Sequence, residues 1–199
     1  ILRELGKSQD AELSYRKAIE INSDHANAHS NLGIILRDLG KLQDAELSTR
    51  KAIEINPDFA NAHLNLGNIL SDLGRSKEAE LSIRKAIELK LDYADAHSNL
   101  GNILKNLGRP QEALNAYVKS IELNPNIAEV RYNLGNILRD LGKSEEAISH
   151  WQKAIKLNPD FPMAHYNLSI FYSQKNDFDK AYKEIKLATK NAPENHIFQ

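Results

Sequence analysis

Asparagine is the residue type in this chain with the most chemistry to offer. Asn31, Asn65, Asn99, Asn133 and Asn167 recur at an interval of 34 residues, and Asn68, Asn102 and Asn136 form a second row three residues further on. An amide side chain presents a donor and an acceptor together. A regularly spaced row of amides can pair with the backbone of an extended peptide whatever its sequence, or it can bridge one segment of the chain to the next. His29, His63, His97 and His165 keep the same interval, with Arg131 in the remaining slot. Zinc needs several imidazoles at about 2 Å from one ion. Side chains on helices packed about 8–10 Å apart do not converge so closely, so this row is expected to pack rather than to ligate. Asp38, Asp72 and Asp140 make a third row, interrupted by Asn106 and Gln174. Beside it Arg37, Lys105 and Arg139 alternate with Ser71 and Ser173. Such mixed charge reads as a solvated groove edge rather than a catalytic carboxylate pair, and it argues against a phosphate backbone as ligand. Tyr132 and Tyr166 fall on the same side and could anchor an apolar or aromatic side chain of a partner.

Several classes of function find no support. The chain contains no H-E-x-x-H, no G-x-S-x-G, no phosphate-binding Gly-rich loop and no cysteine. No enzymatic activity, no cofactor and no metal are expected, and the partner is expected to be a protein or peptide. The 26 basic and 27 acidic residues leave a formal net charge of −1. No general field therefore draws the chain to nucleic acid or to an anionic membrane. No apolar run approaches the roughly 20 residues that span a bilayer. A cytoplasmic location is the expectation. Ile1 lies inside a helical pattern and His196-Ile197-Phe198-Gln199 resembles the start of a further helix, so the sequence reads as a slice of a longer chain.

The elements that position these residues follow from the period. Residues 26–59, 60–93 and 128–161 are near copies of one another, 94–127 and 162–195 follow the template more loosely, and 1–25 match its last part. A fixed period of this size denotes a stacked array. Within 26–59, Ala28, Leu32, Ile35, Leu36 and Leu39 form one run at helical spacing, ended by Gly40-Lys41. Ala45, Leu47, Ala52, Ile53 and Ile55 form a second run, ended by Asn56-Pro57. On the first helix, Asn27, Ser30, Asn31, Ile34, Arg37 and Asp38 lie opposite the apolar stripe. Gly33, Gly67, Gly101 and Gly135 sit mid-helix, where Gly costs about 1 kcal/mol relative to Ala. Small residues also recur on the second helix: Ala45, Ala79, Ala113 and Ala147 at one phase, and Ala52, Ala86, Ser120 and Ala154 at another. Together they predict close approach of the two helices.

This pattern resembles the tetratricopeptide repeat (TPR), whose signature is W-x2-L-G-x2-Y, A-x3-F and a terminal Pro. Leu32-Gly33, Ala45 and Pro57 match it, as do Leu134-Gly135, Ala147, Trp151 and Pro159. The resemblance covers the whole chain. It implies an all-α, right-handed solenoid of stacked antiparallel helix pairs, about six repeats with the first incomplete, and a concave groove lined mainly by first helices. Ser23 and Leu91 replace the terminal Pro, so those two turns are expected to be less sharply enforced. In the last repeat Ser169 stands for Gly, and Lys175-Asn176 for Leu-Gly.

The asparagine rows are similar to those in the superhelical arm of O-linked N-acetylglucosamine transferases. The carboxylate clamp of chaperone-binding TPR domains is not matched: Ser30, Leu64 and Ser98, then Asn61 and Asp95, then Asn99 and Asn133 stand where its Lys and Arg would be. The family implies a protein-interaction scaffold binding a partner segment along the asparagine-rich groove. The alternative is a substrate-recruiting arm of a larger enzyme such as a glycosyltransferase. Exposed repeat ends would favour self-association.

Overall fold

The computed structural model describes residues 8–190. What was read for residues 1–7, and the further helix read at 196–199, lie outside the described residues. Eleven helices follow one another: α1 (Ser8–Ile21), α2 (Ala26–Asp38), α3 (Leu42–Ile55), α4 (Ala60–Asp72), α5 (Ser76–Leu89), α6 (Ala94–Asn106), α7 (Pro110–Leu123), α8 (Ala128–Asp140), α9 (Ser144–Leu157), α10 (Pro162–Gln174) and α11 (Phe178–Lys190). No strand occurs among the described residues. The helices fall into two compact units, residues 1–109 and 110–199. In the first, α2 packs on α3 and α4 on α5, with α1–α2, α3–α4 and α5–α6 joining successive pairs. In the second, α8 packs on α9 and α10 on α11, with α7 against α8 and α9 against α10.

Backbone chemistry places the turn inside each pair. Gly40, Gly74, Gly108 and Gly142 adopt φ of +71 to +77°, and Asn176 takes the same phase at +59°. At the first of these, Lys41 N–H donates to Leu36 O at 2.8 Å and Gly40 N–H to Arg37 O at 2.9 Å. This is the Schellman pattern, which needs one left-handed residue just past the helix. Glycine adopts that conformation without strain and asparagine is next best. The Lys175-Asn176 departure therefore preserves the turn.

The second helix of each pair ends by another device. Asn56 at the end of α3 is extended, at φ −134°, and its Oδ1 accepts from Asp58 N–H. Asn22, Asn124 and Asn158 make the same local bond. The two turns without Pro hold their register. α1 stops at Ile21 and α5 at Leu89, at the phase where α3 stops at Ile55. Asn22 supplies the side-chain turn beside Ser23, and Lys90 is extended at φ −142° beside Leu91. The helices before these two turns therefore end at the same phase as those before Pro.

The mid-helix glycines sit where the helices meet. A Cβ added at Gly33 would stand 2.0 Å from Thr49 Oγ1, at Gly67 2.4 Å from Ile83 Cδ1, and at Gly135 2.5 Å from Trp151 Nε1. The carbonyls of Ala45, Ala79 and Ala147 lie 3.1–3.3 Å from the same three points. Close approach is thus the reason for the small residues. The core consists of Leu32, Ile35, Leu36 and their repeats, together with alanines that are wholly buried.

Two sequence readings are corrected here. Leu47 is 68 % exposed, as are Leu13 (57 %) and Leu81 (70 %) at the same phase. At about 100° per residue, Leu47 lies on the far side of α3 from Ala45 and Ala52, so it does not belong to the buried run. Ser30 lies buried rather than on an open face, because the following first helix packs over it.

Candidate partner-binding face

The first-row asparagines are drawn into the junctions between successive first helices. Asn99 Nδ2 donates to Asn68 Oδ1 at 2.7 Å, and Asn167 Nδ2 donates to Asn136 Oδ1 at 2.8 Å. In each case the first row of one repeat donates to the second row of the repeat before it. Position 34 holds Ile and offers no acceptor, so Asn65 Nδ2 turns to Ser30 Oγ instead, at 3.0 Å. Asn136 Oδ1 accepts a second bond, from Trp151 Nε1 at 3.1 Å. Asn31 is exposed, Asn65, Asn68, Asn99, Asn102, Asn133 and Asn136 are half-buried, and Asn167 is buried. The bridging bond uses one donor hydrogen and one acceptor of each pair. It leaves the second-row amide its N–H groups and the first-row amide its carbonyl oxygen, and it fixes which way each amide points.

Around these bonds the face is built differently in the two units. In the first, Arg37, Asn68, Ser71, Asp72, Asn99 and Asn102 line a cavity of about 160 Å³. Arg37 Nε bonds Asp72 Oδ2 across adjacent first helices at 2.5 Å. Four residues of the sequence-derived set, Arg37, Asn68, Asn99 and Asn102, thus meet at one place. In the second unit, Arg139 pairs with its neighbour Asp140 at 2.9 Å and shares a smaller cavity with Asn167 and Trp151. Tyr132 stacks on Phe161 with ring centroids 5.0 Å apart, so part of its ring is already covered by this chain. Tyr166 is half-buried and Lys105 exposed.

The histidine row has a backbone task. His29 bonds Ser23 O at 3.0 Å, His63 bonds Pro57 O at 2.8 Å and His165 bonds Pro159 O at 3.1 Å, all through Nε2. Arg131 does the same to Pro125 O, donating from Nε and Nη2. Each side chain therefore ties its helix to the carbonyl six residues upstream, in the turn between repeats. Among the described residues no group of three His, Asp or Glu could hold a metal ion.

One row escaped the sequence reading. Glu46 accepts from Arg50 on its own helix at 2.8 Å and from Arg75, in the next repeat's turn, at 2.7 Å. Glu12 stands likewise between Arg16 and Lys41, and Glu80 between Arg84 and Arg109. Hydrogen bonds from Lys41 and then Arg16 hold the Glu12 carboxyl below its usual range. The signal was present as Glu, a cation four residues on, and a cation 29 residues on, three times over. In the second unit the corresponding positions hold Leu114, Val118 and Lys143, then Ile148, Gln152 and Asp177. Apolar residues replace the glutamate both times, and the row is absent there.

Comparison with known proteins settles the family. Tetratricopeptide repeat models match residues 26–59, 94–127, 49–80, 116–149 and 164–195, and a TPR repeat model matches 1–40 and 135–176. Together they span 1–80 and 94–195. The chain belongs to the tetratricopeptide repeat family. Among solved structures, it is similar to YrrB, described as a TPR protein with an unusual peptide-binding site. That match has 29 % identity and a TM-score of 0.71, covering 92 % of this chain and 94 % of YrrB. MamA matches at 27 % identity and a TM-score of 0.73, over 81 % of this chain and 95 % of MamA. The pilF protein of Pseudomonas aeruginosa shares the fold, with 24 % identity and a TM-score of 0.81 over 85 % of this chain and 78 % of pilF. No curated protein matches the chain significantly. As a TPR array it is a protein-interaction scaffold in the general sense, with protein or peptide partners. None of its described helices is long and apolar enough to cross a membrane.

Proposed function

We propose that this TPR chain holds an extended segment of a partner protein along the face formed by its first helices, with the asparagine rows as its polar contacts. The observation that carries the reading is the cavity where Arg37, Asn68, Asp72, Asn99 and Asn102 meet. There the inter-repeat amide bond orients a set of donors and acceptors before any ligand arrives, and such preorganisation lowers the cost of binding. The peptide-binding site named for YrrB, at 29 % identity, supports the same use of the fold. The chain acts by holding rather than by catalysis. Its best-placed carboxylates, Glu12, Glu46, Glu80 and Asp72, are engaged by cations.

The test takes linear peptides selected from a random display library on the whole chain and compares them on the Asn68→Ala/Asn99→Ala variant. Two lost hydrogen bonds, at about 0.5–1.5 kcal/mol each, should weaken binding about tenfold or more. Some thermal stability should be lost too, because the same pair links two repeats. Unchanged affinity beside a lowered melting temperature would retire the reading and confine these amides to joining repeats.

A further inference from the structure

The cavity in the second unit sits at the same phase as the polar one in the first, two repeats further along the sequence. Asn99 of the polar cavity corresponds to Asn167, Asn102 to Ile170, Ile103 to Phe171 and Ser71 to Arg139. These replacements turn a hydrophilic hollow into a more apolar one of about 60 Å³, lined by Trp151, Ile170 and Phe171 together with Arg139, Ser144, Asn167 and Gln174. We infer that this hollow is a side-chain subsite, and that it takes a short branched aliphatic side chain, of valine size, from an uncharged stretch of partner peptide. The inference rests on the peptide-binding reading above and deepens it by assigning a specificity-determining pocket.

Three observations support that occupant. The first is size. An apolar cavity of about 150 Å³ accommodates benzene, so one of about 60 Å³ suits three or four carbons and is too small for an aromatic ring. The second is rigidity. Trp151 is 2 % exposed and Asn167 7 %, and both are locked through Asn136 Oδ1, which accepts from Trp151 Nε1 at 3.1 Å and from Asn167 Nδ2 at 2.8 Å. The indole N–H is thereby satisfied within the chain, so the wall it presents makes no polar demand. Asn167 keeps its carbonyl oxygen for a peptide N–H. The third is charge. Three cations stand near the hollow, each with a carboxylate neighbour: Arg139 pairs with Asp140 at 2.9 Å, Lys143, beside the lining Ser144, lies 3.6 Å from Glu146, and Lys175, 5.5 Å over the Phe171 ring, lies 4.0 Å from Glu145. These pairs leave no net charge to attract an acidic or phosphorylated segment.

Trp151 is the only tryptophan in the chain and lines this pocket, so its emission is a probe of the surroundings there. The experiment selects random dodecapeptides by display on the whole 199-residue chain and titrates the recovered peptides against wild type and against Ile170→Asn. That substitution installs the residue found at the equivalent positions 68, 102 and 136. It lies at a partly exposed site, so helicity by circular dichroism should be unchanged. The expected result is a set of peptides sharing a Val-like residue in an uncharged context. They should give a saturable change in tryptophan emission, with affinity falling about tenfold or more on Ile170→Asn, the size of effect that a mismatched apolar pocket produces. Peptides that bind both proteins equally and leave the emission unchanged would overturn the pocket while leaving the scaffold reading standing. Selection of peptides with an obligatory acidic residue at that position would also overturn it. Recovery of no peptide from either protein would overturn the peptide-binding reading itself, and this inference with it.

Discussion

At His150 the surroundings disfavour a charged imidazole. The ring is partly buried on α9, Nδ1 is shut away from solvent with no hydrogen-bond partner, and Lys153 and Arg131 lie nearby. Burial, and then these two cations, depress its pKa below the ordinary 6.5. The sign of the linkage follows. The unfolded chain binds a proton here more readily than the folded one, so the stabilising effect is complete above the unfolded pKa and is lost as pH falls towards the folded value. The melting temperature of the wild type should therefore decline as pH is lowered from about 7 to about 5. His150→Ser, which places at this position the residue found at the equivalent Ser48 and Ser82, should flatten that part of the profile. Thermal melts across the range provide the check, and parallel profiles for the two proteins would show that His150 is not the titrating group. Single residues also explain why the asparagine rows were ambiguous in sequence. Asn65 chooses Ser30 only because Ile34 offers no acceptor, and Asn99 chooses Asn68. Which amide pairs with which depends on the offset between stacked helices, and the period alone does not state that offset.

At the scale of the element, each helix pair depends on one residue held at positive φ. Gly74 adopts φ +75° with nothing within 4 Å of where its Cβ would be. Substitution there is therefore strained by backbone conformation alone, without a packing term. Gly74→Ala should cost about 1–2 kcal/mol, the penalty of a left-handed residue bearing a Cβ. Gly74→Asn should cost visibly less, since Asn176 occupies the same phase at φ 59°. Denaturant midpoints of the two variants make the comparison, and equal losses would mean that the conformation is not what matters. Helix identity, turn position and the mid-helix close approach were all legible in the sequence, because each has a local signature repeated at fixed spacing. The exposure of Leu47 was less so. It obeys a helical spacing with Ala45 and Ala52 only if its angle round the axis is ignored. The burial of Ser30 was hidden for a different reason, since it depends on a helix from the next repeat. The cavity at Trp151, Ile170 and Phe171 combines a second-helix residue with first-helix residues one repeat on, a convergence that no linear pattern displays.

At the scale of the whole molecule, the two units have the same fold but divide their electrostatics unequally. A repeat protein is stabilised by each unit and by its interface with the next, and in the first unit every such interface carries a charged rung. Glu12, Glu46 and Glu80 each receive a cation from their own helix and another from the following turn. The side chains of these glutamates are only 13–15 % exposed, whereas the cations are 38–49 % exposed. Each pair is thus partly screened by solvent. The second unit lacks the row because Leu114 and Ile148 occupy its carboxylate positions. Raising sodium chloride from about 0.1 M to about 1 M shortens the Debye length from about 10 Å to about 3 Å. Residues 8–109 should then lose stability relative to residues 110–190, which serve as an internal reference for every effect of salt on apolar packing. Amide hydrogen exchange resolves the two units separately. The amides of α3 and α5, which lie between rungs, should lose several-fold in protection at high salt, while those of α9 change little. Glu46→Gln should remove about a third of the difference, because it deletes one rung of three. If protection in both units shifts in parallel with salt, the glutamate row contributes nothing to stacking, and the first unit is held by its apolar junctions and asparagine bridges alone.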